Sequence, residues 1–155
     1  MLRDLSSSSL PDVQMGLAMA PTLATAALAA SLLERVLPLA GHTAAQVRAK
    51  ALAVLQHLCS LDPALWGAGG AVAVARALAD PSPGVVGAAV QAAAQHATPA
   101  EADAALGAAF HLVEQLEGGK LPAEFGYRGH AAPFLRCQVG ACRGGDGETN
   151  ASKCS

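Results

Sequence analysis

Apolar positions along this chain recur at intervals of three and four residues, interrupted by short polar, proline or glycine turns. That period marks helices with one buried face rather than strands. Asp12 can cap a short helix over Val13–Ala20, which Pro21-Thr22 is expected to close. A second helix is predicted over Thr25–Ala40, with Leu28, Leu32, Leu33, Val36, Leu37 and Leu39 on a wide apolar stripe. Pro38 falls in its last turn, where a kink is tolerable, and Gly41 provides the stop. Thr43 reads as the N-cap of the clearest helix, Ala44–Leu58. Val47, Ala51, Val54, Leu55 and Leu58 share one face of it, while Gln46, Arg48, Lys50 and Gln56 point elsewhere. Asp62-Pro63 combines a cap with a first-turn proline. Gly67, Gly69 and Gly70 loosen the chain before a helix over Ala71–Ala79 with Val72, Val74, Ala75 and Leu78 apolar. Asp80–Gly84 is a turn, and Val85–His96 a helix aligning Val86, Ala89, Val90 and Ala93. Thr98-Pro99-Ala100-Glu101 has the form of a capped start. The helix it opens should run to Leu116 and bury Leu106, Phe110 and Val113.

Val13, Val47 and Val86 each open the second turn of a similar helix after a polar or Pro/Gly turn, at separations of 34 and 39 residues. Helix-pair repeats of the HEAT and armadillo kind have units of roughly 40–47 residues. One such unit cannot bury its own apolar face, whereas stacked units form a continuous core. The expected architecture is therefore all-α, a HEAT/armadillo-type α-solenoid whose ordered part is strand-free. An ordinary alanine-rich bundle would also show helix hairpins.

Composition sharpens this picture. A chain of 155 residues can hold one continuous core. It is 52% hydrophobic with 14% charged residues, lacks isoleucine and is dominated by alanine, the strongest helix former. The net charge is −2 and the basic residues are scattered, which argues against a nucleic-acid partner. Gly16–Leu33 is uncharged, but its Ala, Thr, Ser and Gly content and Pro21 suit buried helices better than a membrane span. The leading Met1–Met15 carries one Arg and two Asp, unlike a basic signal sequence. Cys59 reads as a small core residue; Cys137, Cys142 and Cys154 form no zinc spacing. Asn150-Ala151-Ser152 matches a glycosylation sequon that would need a secretory context. From Gly140 onward the chain is Gly-rich and polar, and is expected to be a disordered tail over 140–155.

Little in the chain points to chemistry. His42, His57, His96, His111 and His130 stand singly, and His111 with Glu114 at i, i+3 has no second such motif to complete a metal site. Ser6–Ser9 has no neighbouring histidine, and neither a nucleophile elbow nor a phosphate loop occurs. The expectation is no enzyme: no catalytic residue, no cofactor and no metal. Asp62-Pro63 and Asp80-Pro81 are explained by helix starts and turns. Arg48 and Lys50 are expected on the solvated side of their helix, and Trp66, the sole tryptophan, over a repeat junction.

The most distinctive stretch is Leu121–Phe134, LPAEFGYRGHAAPF. Pro122 and Pro133 push their preceding residues toward extended backbone, Gly126 and Gly129 allow turns, and Phe125, Tyr127 and Phe134 sit at fixed offsets. These five residues, Pro122, Phe125, Tyr127, Pro133 and Phe134, are expected to form a structural connector locking one repeat against the next. The stretch resembles the linker after the middle trunk repeats of the large adaptins, in particular the epsilon type of adaptor protein complex 4. Other segments resemble that trunk in the same order. Val47-Arg48-Ala49-Lys50-Ala51 is similar to its Val-Arg-Lys-Lys-Ala element, with Ala49 in place of a basic residue. LDPALW and LADPSPGVVGAAV are similar to its following turns, and Leu2–Ala40 fits the preceding repeat more loosely. Residues 1–139 are covered, as a partial trunk; the polar sequence after Val139 replaces an expected apolar helix, so the chain reads as a fragment or divergent short form.

The resemblance implies a scaffold in vesicle-mediated intracellular protein transport. It implies partners among the small, medium and second large adaptor subunits. It further implies a cytoplasmic location, peripheral on trans-Golgi network or vesicle membranes through the complex. Rival expectations are a generic HEAT/armadillo interaction module unrelated to coats and an alanine-rich helical membrane protein.

Overall fold

The computed structural model describes residues 3–118, 126–127 and 130–131. A 3₁₀ turn, Asp4–Ser6, leads into six helices: α1 (Leu10–Leu23), α2 (Ala26–Leu39), α3 (Ala45–Leu61), α4 (Ala71–Ala77), α5 (Pro83–His96) and α6 (Pro99–Glu117). A π-type turn, Trp66–Gly70, joins α3 to α4. The fold is all-helical, with the helices packed against one another. The described residues also include one two-residue antiparallel ladder, β1 (Gly126–Tyr127) with β2 (His130–Ala131), pairing Gly126 with Ala131 and Tyr127 with His130. The expectation of a strand-free chain is corrected to that extent.

Helix ends follow local chemistry. Pro11 and Pro83 occupy the first turns of α1 and α5, where a missing N–H costs nothing. Pro21 does not close α1 as expected. It lies within the helix, which runs on to Leu23, and the Ala24 N–H still reaches the Ala20 carbonyl. A proline this near a C-terminus removes one hydrogen bond without unseating the turn. Pro38 sits in α2 in the same way. Thr43 is likewise not the cap of α3: Ala44 holds that position, and the His42 Nδ1 accepts the Ala44 N–H at 3.0 Å.

α1 packs on α3, α2 on α3, α3 on α5, α4 on α5 and α5 on α6. α3 and α5 are thus the central helices. α5 carries no charged Asp, Glu, Lys or Arg and buries Val85 through Val90 together with Ala92 and Ala93, as a helix enclosed on most sides must. One apolar cluster extends from Leu5 on the first turn to Ala105 on α6; Val86, Val90 and Ala109 form a smaller satellite. No polar or charged residue is buried among those described. Val13, Val47 and Val86, the three aligned valines, are all buried, on α1, α3 and α5.

α6 corrects one expectation. Leu106 and Phe110 do not enter the core; they are 45% and 59% exposed, and Ala105 and Ala109 are buried in their place. The small alanines allow close approach to α5, which turns the larger residues one position away from the contact. α1 shows the same pattern, with Met15 and Met19 exposed beside buried Val13, Gly16, Leu17 and Ala20.

Gly69 is the one described residue that needs glycine for its backbone, with φ of 138°. A Cβ there would also lie 3.0 Å from the Leu37 Cδ1. The kink at Gly69 separates the turn that carries the buried Trp66 from α4.

Candidate functional site

Two polar constellations stand out against the apolar packing. The first links α3 to the turn ahead of α5. The Arg48 guanidinium donates Nε to Asp80 Oδ2 at 2.7 Å and Nη2 to Asp80 Oδ1 at 2.8 Å. Its Nη1 donates to the carbonyls of His42 and Thr43, each at 2.9 Å. Asp80 Oδ1 also accepts the Ser82 N–H at 2.8 Å. Burial by itself pushes the Asp80 carboxyl up. The Arg48 and Ser82 hydrogen bonds and the Arg48 charge outweigh it and hold the group below its ordinary value. Sequence reasoning placed Arg48 on a solvated helix face. It is instead largely enclosed, because an arginine fork and a carboxylate 32 residues away meet across the packed helices.

The second constellation gathers at the junction of the π-type turn, α5 and α6. Trp66 is buried, and its Nε1–H donates to Glu101 Oε2 at 3.1 Å. The same oxygen accepts the Thr98 N–H at 2.8 Å and the Thr98 hydroxyl at 3.0 Å. The capped start of α6 thus also holds the tryptophan. These three donors, the Thr98 backbone foremost, depress the Glu101 carboxyl below its ordinary value. The His96 ring lies 5.8 Å from the Trp66 ring, tilted by 37°. Its Nε2 is 3.1 Å from the Gln56 carbonyl and 3.4 Å from the Ser60 hydroxyl. The Ser60 hydroxyl itself donates to the Gln56 carbonyl at 3.1 Å. Among the described residues, the partners of this imidazole nitrogen are the Gln56 carbonyl and the Ser60 hydroxyl. This geometry ties the ends of α3 and α5 together.

The remaining singled-out residues stay apart. His111 Nδ1 is 3.8 Å from Glu114 Oε2, both strongly exposed, and no group of three or more His, Cys, Asp or Glu gathers among the described residues. Asp62 Oδ1 accepts the Ala64 N–H, a helix-start role. Cys59 is buried, which raises its thiol, with Asp62 adding to the effect. Tyr127 lies in β1; Pro122, Phe125, Pro133 and Phe134, and the tail after Val139, fall outside the described residues.

Beside Trp66 an apolar cavity of about 240 Å³ opens between α4 and α6. Alanines dominate its lining, Val74 and Ala93 form buried walls, and Glu101 is its one charged lining residue. Among the described residues, no helix is long and apolar enough to cross a membrane.

Compared with protein-family models, curated proteins and solved structures, the chain matches none.

Proposed function

We propose that this chain is a scaffold segment of an adaptor-complex large subunit, built as a HEAT/armadillo-type solenoid and serving vesicle-mediated protein transport. The observation that carries the reading is the packing order. α1, α3 and α5 lie in series, each against the next, and the Arg48–Asp80 fork joins α3 to the turn that opens the following pair. Stacked helix pairs are expected to connect in this way. The apolar residues left outward on α1 and α6 at the two ends of the series also fit, since further repeats would cover them.

On this reading the chain performs no catalytic step and needs no cofactor. It holds partner subunits by surface packing and reaches trans-Golgi or vesicle membranes only through the assembled complex. The motifs from Val47-Arg48 to Leu121–Phe134 are what single out the adaptins among helical repeats.

Affinity purification of the tagged chain tests the assignment. Small and medium adaptor subunits are expected to co-elute. A folded, helical chain that retains none of them would leave a generic helical-repeat module as the better reading.

A further inference from the structure

The cavity beside Trp66 sits where α4, α5 and α6 come together, with the core residues Val74 and Ala93 among its walls. Ala71 and Ala75 of α4, Ala93 and Ala97 at the end of α5 and Ala104 of α6 line it, and their methyl groups are too short to close the gap. Close-packed interiors rarely leave such space, and a dry apolar cavity of about 150 Å³ is already enough to take up benzene. This one is larger, at about 240 Å³, yet below the roughly 300 Å³ at which small-molecule pockets begin. Its size suits one inserted side chain. Its rim extends onto exposed surface: Val72 on α4 is 65% exposed, and Ala104 on α6 is exposed as well. An apolar strip continuous with an apolar hole is the shape that protein anchors use.

Charge selects the occupant further. Glu101 lines the cavity, and the three donors that fix its carboxylate all converge on Oε2. Oε1 accepts no hydrogen bond from the described residues, so a preoriented acceptor is left at an otherwise uncharged rim. A cationic group reaching it would gain a charge-assisted bond without having to order the carboxylate first.

We propose that this pocket is a docking site for a partner-protein segment that inserts one leucine-sized side chain beside Trp66 and sets a lysine or arginine, one helical turn away, against Glu101. The inference rests on the scaffold reading, and it adds a specific surface and partner chemistry.

Trp66 is the only tryptophan, so its emission reports on the pocket itself. The full chain is titrated with a tryptophan-free amphipathic helical peptide carrying one leucine and, one turn on, one lysine. A saturable change in emission is expected. Replacing the peptide lysine by glutamate should weaken binding about tenfold, and replacing the leucine by alanine should abolish it. The Glu101→Lys chain should reverse the charge preference. Ala104→Phe, at the exposed rim, should fill the pocket and abolish binding while leaving helicity intact; it carries the test if Glu101→Lys fails to fold. Unchanged emission up to millimolar peptide, equal binding of the alanine peptide, or undiminished binding by Ala104→Phe overturns the proposal. Co-elution of adaptor subunits without peptide binding sinks only the pocket; peptide binding without co-elution sinks only the adaptor assignment.

Discussion

Arg48 and Asp80 meet fork to fork, Nε to Oδ2 at 2.7 Å and Nη2 to Oδ1 at 2.8 Å, with side chains only 14% and 11% exposed. The guanidinium also holds two loop carbonyls, so one side chain fixes the entry to α3 and the entry to α5 together. Removing either partner strands the other where water reaches it poorly. Arg48→Ala and Asp80→Ala should each cost about 2 kcal/mol, in the range for hydrogen bonds to charged groups. A double-mutant cycle by urea unfolding checks this. Additive losses would show that the two side chains act independently.

The same pair predicts the acid limb of stability. Asp80 is held below its ordinary value of 3.8, so its ionised form favours the folded state. Its contribution is complete above that value and is lost as pH falls through the depressed folded value. Unfolding free energy should therefore decline below about pH 4, and Asp80→Asn should flatten that decline. Chemical denaturation across pH 2–6 reads both. An unchanged slope in the variant would remove Asp80 from the account.

Large apolar residues should divide sharply by position. Leu55 is fully buried on α3, and its replacement by alanine should cost about 2–5 kcal/mol. Phe110, the larger side chain, is mostly exposed on α6, so Phe110→Ala should change stability by no more than about 0.5 kcal/mol. Thermal unfolding of the two variants distinguishes them. A large loss for Phe110→Ala would mean that the outward face of α6 is already covered within the chain.

Gly69 and Gly67 provide a paired test of the π-type turn. Gly69→Ala places a side chain at φ 138° and within 3.0 Å of Leu37, and should cost about 1–3 kcal/mol. Gly67 has open space around it, so Gly67→Ala should be neutral or mildly stabilising, by up to about 1 kcal/mol. Circular dichroism melts of both variants give the comparison, and equal effects would contradict the kink described.

The sequence by itself determined the helices and most of their ends. Apolar spacing is local, and proline, glycine and capping side chains act on residues only a turn away. The buried face of α3, the position of α5 and the Thr98–Glu101 start of α6 were all legible for that reason. Locality also set the errors. Whether Pro21 ends a helix depends on the hydrogen bonds that remain around it, and the composition of α6 alone favours burying Leu106 and Phe110. Only the tertiary structure decided which face of α6 meets α5, because small residues such as Ala109, packed against Val86 and Val90, let the helices approach and leave the larger side chains outside. It alone brought Arg48 to Asp80 and Trp66 to Glu101, partners separated by 32 and 35 residues. It also left the gap beside Trp66, because helix spacing is a property of two surfaces and no single segment encodes the distance between them.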